Sequence, residues 1–168
     1  MMKSLYRTVA AVVLAGGLVA LPAAVKAASL ESEIELLRSD LKAGKVDIVK
    51  DALHVSGAKA DAFWPVYRKY QLDLDKIGDA RLALIKDYAA NYDKMTDDKA
   101  KTLVKSALDL QSKKIDLLKK YYKDFEKVLG PVEAARLVQV EHLMMALVDV
   151  KLGADLPLIE KTAAEVGK

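Results

Sequence analysis

The chain has 168 residues, no cysteine and two histidines, with 27 Lys and Arg against 24 Asp and Glu. Without cysteine it forms no disulfide, thiolate metal site or cysteine nucleophile, and two histidines leave few conventional bases for catalysis. The positive surplus belongs to residues 1–27, where Lys3, Arg7 and Lys26 stand without a carboxylate; the remainder carries 24 of each sign, which argues against general binding of nucleic acid through phosphate neutralisation.

Those first 27 residues have the order of a secretory leader. Lys3 and Arg7 form a basic head, Thr8 to Ala20 is apolar, Leu21-Pro22 breaks the run, and Val25-Lys26-Ala27 offers small residues at the exit. Cleavage after Ala27 is expected, which places the mature protein in the periplasm. The apolar run from Val9 to Val25 is at the lower limit for crossing about 30 Å of hydrocarbon. The 141 residues that follow fit one domain with a real core. The expected division is a signal peptide over 1–27, a single helical domain over 28–152 and a C-terminal tail over 153–168.

Leu30, Ile34, Leu37 and Leu41 recur at helical spacing and predict an amphipathic first helix ending near Gly44. A short piece follows, with Val46, Val49 and Leu53 on one side and Ile48 at the edge. Ser56 is a candidate N-cap. From about Ala58 to Asp93 the residues Phe63, Tyr67, Tyr70, Leu74, Ile77, Leu84 and Tyr88 keep a near-heptad rhythm, broken at Arg81, and predict one long helix with Pro65 inside it.

Asp93 to Thr96 reads as a turn, with Thr96 as cap and Asp97 and Asp98 placed favourably for the helix dipole. Val104, Leu108, Gln111, Ile115, Leu118, Tyr122, Phe125 and Leu129 then alternate four and three, opposite a charged face that includes Lys113. The two helices are expected to form an antiparallel hairpin packed through these seams. Gly130-Pro131 ends one helix and starts the next. That last helix, Val132 to about Leu152, is apolar on several sides and demands cover on more than one. The fold class is therefore all-α: a long antiparallel hairpin with additional N- and C-terminal helices.

Three helix starts share a pattern of apolar residue, cap, two variable positions, charge and Ala: Val55-Ser56-Gly57-Ala58-Lys59-Ala60, Met95-Thr96-Asp97-Asp98-Lys99-Ala100 and Leu129-Gly130-Pro131-Val132-Glu133-Ala134. In this setting the pattern resembles the LTxxQ-motif periplasmic proteins, the Spy- and CpxP-type chaperone-like stress proteins with related metal-responsive sensors. The resemblance covers roughly Ala43 to Val150. It implies a bent helical hairpin, often dimerised into a shallow cradle. This chain has Lys59, Lys99 and Glu133 where that family has Gln. Its Phe63-Trp64-Pro65-Val66-Tyr67 segment is closer to uncharacterised exported helical proteins that share FWPxY.

No catalytic constellation is expected: His54 and His142 are the only imidazoles, and Ser56 beside His54 is better read as a cap. Glu141-His142-x-Met144-Met145 mixes ligand types that suit soft metals. One helix cannot aim all of them at one point, so no metal or cofactor is assigned. Trp64 and Tyr121 are candidates for an aromatic partner-binding platform, since Tyr122 occupies the seam beside Tyr121. Leu143, Met144, Leu147 and Val148 are the candidate partner-binding residues of the last helix. The expected function is non-enzymatic binding of protein clients, or of a second copy as a homodimer, by a chaperone-like or envelope-stress protein. A metal-responsive periplasmic sensor or buffer and a structural envelope protein are the alternatives.

Overall fold

The computed structural model describes residues 32, 36, 39 and 44–159 (of Asp155 the backbone only). The leader, its cleavage at Ala27, the stripe of Leu30, Ile34, Leu37 and Leu41, and residues 160–168 lie outside that range. The described residues are all-helical, without strands. The first helix, α1, occupies 44–53 of the described stretch. It is followed by α2 (Gly57–Asn91), a 3-10 turn (Tyr92–Lys94), α3 (Asp97–Leu129) and α4 (Pro131–Asp155).

The chain stops its helices where its caps are. Thr96 Oγ1 accepts from the Lys99 N–H at 3.2 Å, while Asp97 and Asp98 occupy the first turn of α3 and Lys127 its last. Gly130, at φ +84°, ψ 162°, donates its N–H to Glu126 O and also serves as the N-cap of α4, with Pro131 at its start. Ser56 holds the N-cap position of α2 with extended backbone, as expected, but makes no side-chain cap bond. The bend into α2 instead uses positive φ at His54 (+49°) and Gly57 (+56°). Helix α2 runs continuously through Pro65.

Helices α2 and α3 pair antiparallel. Lys99 Nζ meets Asp87 at 2.6 Å near the turn, Tyr121 donates to Asp73 at 2.8 Å, and Lys59 Nζ reaches Leu129 O at 3.2 Å at the far end. Two of the three positions where the resemblance expects Gln thus hold lysines that clamp the ends of the hairpin. Helix α4 starts against α3 and crosses toward α2. Its first half joins Ala134, Leu137 and Met144 to a core of Phe63, Tyr67, Tyr70, Tyr121, Phe125 and Leu129, with Val49 and Leu53 of α1. Its last turns pack Leu152 on Leu82 and Ile85 of α2.

The seam of α3 holds at its C-terminal end, where Phe125 and Leu129 are buried as expected, and shifts by one residue elsewhere: Leu103 and Tyr121 are buried, whereas Val104, Leu108 and Ile115 are exposed. Its aromatic residues turn toward α2, where Tyr121 packs edge-on against Tyr70 and reaches Asp73. Leu118 and Tyr122 are left at the flank beside α4, only partly buried.

Candidate protein-binding surface

The centre of the molecule is polar. Glu141 of α4 is fully buried. Its Oε1 accepts from Tyr67 Oη at 2.7 Å, and its Oε2 accepts from Tyr70 Oη at 3.0 Å and Lys45 Nζ at 2.9 Å. A buried carboxylate is tolerated when it is paired and hydrogen-bonded in this way. Burial, reinforced by the neighbouring carboxylate, pushes both phenols well above the ordinary tyrosine range. The cluster joins α1, α2 and α4. Sequence reasoning placed both tyrosines on the seam and missed their shared acceptor; the available signal was a lone Glu on the row Ala134, Leu137, Met144.

A second polar node lies two turns further along α4. Asp149 accepts from Arg81 of α2 and from Lys114 of α3, the latter at 3.0 Å. Burial works against the Asp149 carboxylate, but these two donors prevail and hold it below the usual carboxylate range. Arg81, which interrupts the expected seam of α2, therefore ties α4 to the hairpin together with Lys114.

Between these nodes and the solvent runs an open groove of about 1120 Å³ between α3 and α4, with Ile115, Leu118 and Tyr122 on one wall and Val138 and Met145 on the other. It holds Ile115, Leu118 and Tyr122 of the α3 heptad row, and Leu108 and Val104 of the same row are exposed as well. On the outer side of α4, Leu143 (61% exposed), Leu147 (51%) and Val150 form a second apolar row.

The candidate partner-binding residues separate into two groups. Leu143 and Leu147 are on the surface as expected. Tyr121 is 7% exposed and Met144 6% exposed, so neither offers a free face: Tyr121 is held between Tyr70, Phe125 and Asp73, and Met144 is in the main core. Val148 is half-buried against the Leu82–Ile85–Leu152 cluster. Trp64 is half-buried and packs edge-on against Phe63 and Tyr67, with Lys50 over its ring at 6.0 Å. The aromatic platform therefore does not form, because Tyr121 lies in the core and Trp64 alone keeps a partly exposed edge. Sequence reasoning missed Ile115, Leu108 and Val104 as surface residues, since a heptad row alone does not say which neighbour covers it.

The mixed motif on α4 is divided by the helix. Glu141 is occupied by its three donors, Met144 is buried, and His142 and Met145 line the α3–α4 groove. Among the described residues no three His, Cys, Asp or Glu side chains gather into a metal-binding group, and no described helix is long and apolar enough to cross a membrane. Comparison with family models, with curated proteins and with solved structures finds no match.

Proposed function

We propose that this is a non-enzymatic, exported protein-binding protein that holds apolar segments of polypeptide clients on its helical surface, in the manner of a chaperone-like or stress-adaptor protein. One observation carries the reading: Val104, Leu108 and Ile115 of the α3 heptad row are exposed, and Ile115 forms part of the wall of the largely apolar α3–α4 groove. A heptad row is the pattern that packs against another helix, and an amphipathic helix laid in an apolar groove is a common recognition mode. Exposed, contiguous apolar surface marks interaction sites. The resemblance to LTxxQ-motif periplasmic proteins and the leader pattern point the same way.

The test is aggregation of an unfolded client at near-stoichiometric ratio without ATP. The protein starting at Ala28 is expected to slow aggregation, and Leu108→Glu with Ile115→Glu is expected to remove the effect while helicity is retained. No effect on several clients would overturn the reading. Fractionation checks the export arm: recovery of intact Met1 in the membrane fraction would contradict it.

A further inference from the structure

A second cleft, of about 880 Å³, opens between α2, α3 and α4 in the half of the bundle away from the aromatic core. Leu74, Ile77, Leu82 and Ile85 of α2 form one wall, and Val148 and Leu152 of α4 another. Lys45 of α1 lines it as well. From Leu74 to Ile85 the cleft follows α2 for about 16 Å at about 1.5 Å per residue.

Helix α1 shows which part of the chain reaches this cleft. Lys45 Nζ stands over the Tyr70 ring at 5.7 Å, and Lys50 Nζ over the Trp64 ring at 6.0 Å. Numbers fall on α2 as they rise on α1, so the two helices run antiparallel. Helix α4 gives the same sense: Lys45 bonds Glu141 at 2.9 Å, and Ala52 O accepts from Arg136 at 3.5 Å. The chain before Lys45 therefore heads along α2 toward Ile85 and along α4 toward Leu152. Carrying the Lys45–Tyr70 register backward sets Leu41 beside Leu74, Leu37 beside Gly78, Ile34 beside Arg81 and Leu30 beside Ile85. Leu74, Gly78, Arg81 and Ile85 all line the cleft.

The residues so placed are the apolar stripe Leu30, Ile34, Leu37 and Leu41. At helical spacing this row continues as Lys45, Val49 and Leu53. Those three face inward: Lys45 is bonded to the buried Glu141, and Val49 and Leu53 are in the core. Ser32, Leu36 and Ser39 are helical and exposed, Leu36 by 63%. At about 100° per residue they lie about half a turn away from the stripe.

We propose that the cleft is the docking site of the chain's own residues 28–43, laid antiparallel to α2 as an amphipathic helix with Leu30, Ile34, Leu37 and Leu41 inside. Sixteen residues span about 24 Å as a helix, enough to cover the cleft from Leu74 to Ile85. Docked in this way the segment closes the cleft to outside ligands and leaves clients the α3–α4 groove. The docking does not depend on the protein-binding reading.

The chain starting at Ala28 has no cysteine, so introduced pairs report position without interference. Leu41→Cys with Leu74→Cys, and Leu30→Cys with Ile85→Cys, are expected to join within one chain through a short bismaleimide. The mismatched Leu41→Cys with Ile85→Cys, displaced by about 16 Å along α2, should react about tenfold more slowly or less. Failure of the matched pairs, or an equal rate for the mismatched one, overturns the proposal. A cross-linked dimer overturns it in favour of a second copy in the cleft. Charge in the row gives an independent readout. Ile34→Glu with Leu37→Glu should lower Tm by on the order of 10 °C and open the cleft to an apolar fluorescent dye, whereas Leu36→Glu should change neither. Like behaviour of the row and face variants overturns the docking, as does equal dye binding by the parent. Should either set of variants lose helicity, the other decides.

Discussion

Tyr67 of α2 donates its hydroxyl to Oε1 of Glu141 on α4 across 2.7 Å, in the interior of the bundle. The bond has no solvent to replace it, because the carboxylate is fully buried. Tyr67→Phe should therefore cost about 1.5–3 kcal/mol, the range for a hydrogen bond to a charged group. Glu141→Leu should cost more, about 3–5 kcal/mol, since it strands Lys45 and two phenols without their acceptor. Urea unfolding of the two variants checks the order; a larger loss for Tyr67→Phe would mean that Glu141 is not the hub.

The same cluster sets the alkaline limit of stability. A tyrosine whose folded pKa is raised contributes stability that is present below its unfolded pKa of about 10 and lost as pH rises above it. Tyr67 and Tyr70 both have raised values. Stability is expected to fall above about pH 10, and tyrosinate absorbance should show these two phenols ionising only as the chain unfolds. The slope of stability against pH should be shallower in Tyr67→Phe.

Asp149 gives the acid counterpart. Its carboxyl is held below the usual range by Lys114 and Arg81 against the pull of burial. A depressed pKa contributes stability that is present above the unfolded value of about 3.9 and lost as pH falls through the folded one. Asp149→Asn should be less stable than the parent at neutral pH, and the two curves should draw together as pH falls below the usual carboxylate range. A constant gap at all pH values would mean that the residue acts through packing alone.

The joint between α3 and α4 rests on one glycine. Gly130 sits at φ +84°, ψ 162°, with nothing within 4 Å of where a Cβ would stand. This backbone region is essentially reserved for glycine, so Gly130→Ala should destabilise by about 1–3 kcal/mol through strain and not through a clash. Gly153, inside α4 and equally open, supplies the control: Gly153→Ala should stabilise or be neutral. Thermal denaturation of the pair separates the two effects.

How much of this was legible in the sequence depended on whether the information was local. Thr96 with Asp97 and Asp98, and Gly130-Pro131, carry their meaning within one turn, and the helices start and stop there. Ser56 failed as a side-chain cap because positive φ at His54 and Gly57 already sets the bend. Which face of α3 meets α2 was not local. It depended on Tyr121 finding Asp73 and Tyr70 on the opposite helix, so that Tyr121 replaces Tyr122 in the seam while Phe125 and Leu129 keep their expected places. Glu141 was read as a ligand candidate because its partners Lys45, Tyr67 and Tyr70 are dozens of residues away in the chain.

The placing of the α3 seam can be tested by truncation at matched positions. Phe125 is fully buried among Phe63, Tyr67 and Tyr70, whereas Leu108 belongs to the same sequence row and is exposed. Phe125→Ala should cost about 3–5 kcal/mol through the lost contacts and the cavity left behind. Leu108→Ala should stay within about 0.5 kcal/mol, as a surface change does. Leu118, partly buried at the α4 flank, should fall between them. If Leu108→Ala costs as much as a core truncation, then the α3 row is covered in the working protein. The covering element could be another part of the chain or a second copy, and sedimentation of the variant beside the parent distinguishes the two: loss of self-association with the truncation identifies the second copy, and unchanged mass identifies the chain itself.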